Sequence, residues 1–163
     1  MGLKQMENER KEVVLKEYPN STRWIKGQLT IGVGNLILTN ERLVFLNGVE
    51  LSPRQIAHIR KLTEAGNTNK IIDFALTLHK KNFEVPVSSV ISAKMRRYCL
   101  FPFPRPYLSI SYRGGSKEKE RTLGFMFTIS LLKGFYQLEF TTVWIWVRII
   151  RKALKAKQSG IGR

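Results

Sequence analysis

Five cations and two phenylalanines carry the most legible chemistry in this sequence. Lys94, Arg96 and Arg97 precede a Phe-Pro segment that holds Phe101 and Phe103, and Arg105 and Arg113 follow it. Ammonium and guanidinium groups attract phosphates and carboxylates. Apolar rings beside them can enter a lipid interface or stack on bases. Such a set binds an anionic partner and breaks no bond. Each Lys or Arg at an anionic membrane surface is worth about 1 kcal/mol, so a cluster of them supports reversible attachment. The opposing reading has the two rings packed onto the domain and the cations merely solvated.

Residues for bond-making chemistry are sparse. His58 and His79 have no Cys, Asp or second His at metal-ligand spacing, and Asp73 is the single aspartate. Cys99 follows Arg96, Arg97 and Tyr98, a positive field that would favour a thiolate, yet a structural cysteine needs nothing more than this. No Gly-x-Ser-x-Gly elbow and no phosphate-cradling glycine loop occur. The chain is therefore expected to be no enzyme and to carry no metal or cofactor.

Composition points the same way. The 163 residues are 43% hydrophobic and 25% charged, which suits one globular domain with a real core. Lys and Arg outnumber Asp and Glu 28 to 12, a net charge of +16. That field attracts polyanions: an anionic membrane, an acidic protein or nucleic acid. No helix-turn-helix, zinc or RRM pattern accompanies it, which leaves nucleic acid the weaker alternative. A lone cysteine fits a reducing, cytoplasmic setting, with peripheral contact at a membrane as the added expectation. The region 123–150 is the most apolar, but Lys133, Glu139 and Arg148 interrupt it short of a membrane span.

The elements that must position these residues are mostly strands. Residues 1–11 are polar and read as a flexible N-terminus. Glu12–Tyr18 is a strand candidate stopped by Pro19-Asn20-Ser21, and Gln28–Ile31 alternates as a half-buried strand should. Leu36–Leu38 and Leu43–Leu46 flank the turn formers Thr39 and Asn40 and read as a hairpin. Ser52-Pro53-Arg54-Gln55 is a helix start with a capping box, predicting a helix over 53–65 with Gly66 as its stop. Ile72–His79 alternates and reads as a strand, as do 83–93, Tyr107–Tyr112 and 117–127. Three prolines make 98–106 a loop, and 129–140 is ambiguous.

Thr141 or Thr142 would cap a last helix, Val143 to about Lys157, with 158–163 a basic tail. At 100° per residue Val143, Trp146, Val147, Ile150, Ala153 and Leu154 share one face, and Arg148, Arg151, Lys152 and Lys155 the opposite one. Trp144 and Ile145 fall outside the apolar stripe. The apolar face is expected to close a core, with the alternative that it lies flat on a membrane.

The pattern Gly34-x-Leu36-x-Leu38-Thr39-Asn40-x-Arg42-Leu43-x-Phe45 resembles the signature hairpin of GRAM and bacterial PH-like domains. Val85-Pro86-Val87-Ser88-Ser89-Val90 resembles a second family feature, for which Leu51-Ser52-Pro53-Arg54-Gln55-Ile56 is a rival. The resemblance covers roughly 13–157. It implies a mainly β (α+β) fold: a partly open barrel or sandwich of about seven antiparallel strands capped by the C-terminal helix. It implies a single domain over 12–157 that acts as a binding module. The insertion at 49–70 and the Phe-Pro segment depart from a minimal member. The basic signature by which some PH domains grip phosphoinositides is absent near Lys26-Gly27.

Overall fold

A computed structural model describes residues 12–26, 29–48, 51–100, 103–114, 119–127 and 135–160. Among these residues seven antiparallel strands form one open sheet: β1 (Val14–Lys26), β2 (Leu29–Thr39), β3 (Arg42–Asn47), β4 (Phe83–Pro86), β5 (Val90–Leu100), β6 (Phe103–Gly114) and β7 (Lys119–Phe127). Their order is β4-β3-β2-β1-β7-β6-β5, so β4 and β5 are the two edges. The short turn Val87–Ser89 joins those edges in the chain. Helices α1 (Pro53–Glu64) and α2 (Thr68–Thr77) are inserted between β3 and β4, and α3 (Phe135–Gly160) follows β7. This is a PH-like α+β fold.

The inner face of the sheet and the apolar face of α3 make the core. Leu36, Leu38, Leu43 and Phe45 from the hairpin meet Leu108, Ile110 and Phe125, and Val143, Trp146, Val147, Ile150 and Ala153 close over them. These five α3 residues are those the helical spacing selects. Burying each large side chain is worth about 2 kcal/mol, which holds α3 against the sheet without a covalent tie. The helix spans Phe135–Gly160, so Thr141 and Thr142 lie inside it and 158–160, expected in a tail, are helical.

The helix read over 53–65 is present as α1. Ser52 accepts from the Gln55 amide while the Gln55 side chain accepts from the Ser52 amide. Gly66 adopts φ 67°, and the amides of Gly66 and Asn67 reach back to Thr63 and Leu62. That double return is a Schellman stop, which requires a left-handed residue.

Three expectations fail for identifiable reasons. Ile72–His79 is not a strand, since Thr68–Thr77 is helical. A short apolar run fits both periods. The outer face of β2–β3 decides it: Ile37 and Val44 need cover, and Ile72 with Leu76, one helical turn apart, supplies it. Phe74 packs on His58 of α1, with ring centroids 4.6 Å apart. Pro19 does not end β1. Tyr18 pairs with Leu36 and Thr22 with Gly34, so four steps on β1 face two on β2 and a bulge absorbs the proline. Finally, most of 98–106 is ribbon, with Leu100 opposite Phe103. Pro104 and Pro106 fit because, among the described residues, β7 pairs with β6 only from Leu108 onward, so no described partner waits for their missing N–H groups.

Among the described residues, no helix is long and apolar enough to cross a membrane.

Candidate functional site

The β5–β6 ribbon carries the predicted cations but divides them. Strand alternation puts Lys94 and Arg96 on the outer face, opposite Ser109 and Tyr107. Arg97 lies on the α3 side, its guanidinium 5.9 Å from the Phe140 ring centroid. Arg105 is partly buried opposite Tyr98. Arg113 pairs with Glu120 near the β6–β7 turn, eight residues from Arg105 and roughly 26 Å away along the strand. Lys94, Arg96, Arg97 and Arg105 thus share one half of the ribbon, and Arg113 stands apart. Phe101 lies outside the described residues. Phe103 opens β6, and only its backbone is described.

A second basic feature adjoins the same strand. Trp144, Arg148, Arg151, Lys152 and Lys155 follow one another at steps of four, three, one and three, a single stripe on α3. This stripe and Met95 of β5 wall a groove of about 570 Å³, with Val147 also lining it. None of the lining residues is acidic. Trp144 is 53% exposed and Met95 41%. The Arg148 guanidinium sits 5.4 Å from the Trp144 ring centroid, and Arg151 Nε donates to the Ala93 carbonyl oxygen at 3.1 Å. The site therefore has preplaced cations, a large exposed ring and a strand edge side by side. Arg is suited to this work because its planar fork can hold a ring or carbonyl and still present donors.

Arg148, Arg151, Lys152 and Lys155 were visible in the sequence as the basic face of α3, with Val147 read on its apolar face and Trp144 outside the apolar stripe. Their nearness to Met95 was not, because it depends on β5 being an edge and on the angle at which α3 crosses the sheet.

A different charged cluster is structural. Arg42 makes a fork with Glu12, Nε to Oε1 at 2.9 Å and Nη2 to Oε2 at 3.0 Å. Its Nη1 also meets Asp73 at 2.7 Å and Glu84 at 2.6 Å. Burial alone would lower the Arg42 pKa, but hydrogen bonds to Glu12, Glu84 and Asp73 outweigh it and hold the guanidinium above its ordinary value. Thr39 Oγ1 donates to Glu12 at 2.6 Å and accepts from the amides of Glu41 and Arg42. Lys157 of α3 reaches Glu41 at 3.0 Å. These contacts tie the hairpin to the segment before β1, to α2, to β4 and to α3.

Glu139 is a buried acid on α3. Burial raises its pKa, and the charge of Arg105 partly offsets this; Glu139 in turn adds to the burial that raises Tyr18. In the unfolded chain the carboxyl titrates at its ordinary value. Between that value and the raised folded one the native state binds more protons, so stability falls as pH rises through the window. Glu139→Gln is expected to raise the thermal midpoint at neutral pH and to leave it unchanged below the window. Melting curves of both proteins across an acid-to-neutral pH series check this, and parallel curves at all pH values would count against it.

No family model matches the chain, and no curated protein matches it.

Proposed function

We propose that this chain is a non-catalytic binding module that takes an acidic protein partner in the groove between α3 and β5. The observation that carries the reading is the convergence of Arg148, Arg151, Lys152 and Lys155 on one concave trough with Met95 and Trp144. A concave, charged trough with an aromatic anchor suits a chain that can enter it. The PH-like fold and the Gly34–Phe45 hairpin support placing the chain beside the GRAM and bacterial PH-like domains.

One observation favours a second reading, an anionic membrane surface. Trp144 and Met95 are large, exposed and ringed by cations, as interfacial anchors are. Lys94, Arg96, Arg97 and Arg105 would then add to the headgroup contacts, with Phe101 and Phe103 as insertion candidates. Nucleic acid on the same cations is the third alternative.

The test compares binding of polyglutamate, phosphatidylserine vesicles and a single-stranded polynucleotide at matched salt. Polyglutamate is expected to bind and to release as salt rises. Reversing two exposed charges, Arg148→Glu with Lys152→Glu, is expected to weaken it about a hundredfold, each reversal removing one attraction and adding one repulsion. Unchanged affinity in the double variant would remove the groove from the account. Preference for vesicles over both polymers would replace the acidic partner with the membrane, and preference for the polynucleotide would replace it with nucleic acid.

A further inference from the structure

The backbone of β5 has its own pattern. In an antiparallel ladder, residues alternate between those that exchange hydrogen bonds with the partner strand and those whose N–H and C=O point away. Arg97 lies opposite Pro106 and Cys99 opposite Pro104. Proline has no N–H, so these cannot be the bonded pairs. From Ser92 to Leu100 the register with β6 has no shift, and the same parity therefore holds for Met95 and Ala93. The Arg151 guanidinium bonded to the Ala93 carbonyl agrees, since that oxygen must face outward to receive it. Ala93, Met95 and Arg97 thus direct their backbone groups to the open edge of the sheet, over roughly 13 Å.

That edge opens beside the groove. A strand added to it would run about 4.8 Å beyond β5. Its side chains would alternate between the trough of Trp144, Arg148 and Lys152 and the outer face that holds Lys94 and Arg96. Both faces offer cations, so both call for acids. An apolar residue would meet Met95 and Trp144 on the inner side. A second copy of this chain would bring the same cations to the edge and be repelled, so the charge selects an unlike strand.

We propose that the free edge of β5 takes an extended acidic segment of a partner protein as an added strand, seated against α3. The inference rests on the acidic-partner reading and specifies its mode. Arg151 holds the edge acceptor of Ala93 in the unbound state and turns to a carboxylate of the incoming segment on binding.

The test uses the full chain and an acetylated peptide repeating Glu-Glu-Val-Val, which as a strand places acids and apolar residues on both faces. Binding is expected to slow hydrogen exchange at the Met95 and Arg97 amides, and to leave Lys94 and Arg96, already bonded to β6, unchanged. N-methylating two alternate peptide nitrogens of one parity is expected to weaken binding about tenfold, for two hydrogen bonds lost, and methylation of the other parity to leave it intact. If the peptide binds, and Arg148→Glu with Lys152→Glu abolishes it, yet neither parity matters and no alternating protection appears, strand addition is wrong while the acidic-partner reading stands. If neither this peptide nor polyglutamate binds at low salt, both fall.

Discussion

Arg42→Ala is expected to destabilise the protein by about 3–5 kcal/mol, the range for breaking one side of a buried ion pair. The asymmetry of the pair sets this size. Glu12 is 4% exposed and the Arg42 side chain 15%, whereas Asp73 and Glu84 are 57% and 42% exposed. Losing the two outer carboxylate contacts costs little, because water replaces them. Losing the fork leaves Glu12 with the Thr39 hydroxyl as its remaining named donor. For a chain of this size the thermal midpoint should fall by about 10 °C. Arg42→Lys should fall between, since one ammonium cannot reproduce the two parallel bonds. Combining Arg42→Ala with Glu12→Gln should recover part of the loss, because the stranded charge is then gone. Equal midpoints for wild type and Arg42→Ala would sink this account of the cluster.

The same cluster explains why one short hairpin organises so much of the chain. Thr39 turns the hairpin by accepting two amides, and Asn40 ties it to Val13 through the Val13 amide at 2.8 Å. Arg42 then links the segment before β1, the inserted α2 and the edge strand β4 through Glu12, Asp73 and Glu84. Four pieces distant in sequence meet at one side chain, whose contacts serve the fold.

What could be read in advance followed from local rules. The hairpin was legible because Leu36, Leu38, Leu43 and Phe45 alternate around turn formers. Helix α1 was legible because its cap and stop are local, and α3 because its apolar residues hold helical period for three turns. The misreadings share a cause, which is that the deciding partner lies far along the chain. Helix α2 covers Ile37 and Val44, roughly thirty residues upstream, and no window around Ile72 contains them. The ribbon through Pro104 and Pro106 depends on where β7 stops. The candidate site was half legible. Its cations were visible on α3, and its floor and edge come from β5. Arg105, expected among the ligand-binding cations, also lends its charge to the buried Glu139, a neighbour on α3 that the sequence order does not reveal.

Gly34→Ala is expected to cost about 3 kcal/mol, an overpacking penalty at a place that cannot relax. Gly34 lies in the middle of the sheet, opposite Thr22 on β1 and Asn47 on β3. A β-carbon there would overlap the Leu46 carbonyl oxygen and come within 2.8 Å of the Asn47 α-carbon. Both are backbone atoms of a paired strand, so relief requires β3 to move and the β2–β3 register to open at that end. The glycine serves close approach of two strands, a reason separate from any left-handed turn. Gly32→Ala is the control. Its β-carbon would meet the Asn47 side-chain oxygen at 2.6 Å, and that side chain can rotate away. The thermal midpoint should therefore drop by about 10 °C for Gly34→Ala and by clearly less for Gly32→Ala. Because β3 carries Arg42 at its other end, Gly34→Ala and Arg42→Ala should not simply add: a strand already displaced by the first has less left to lose from the second. Full additivity of the two would mean that β3 responds to each end separately, against its reading as one rigid strand.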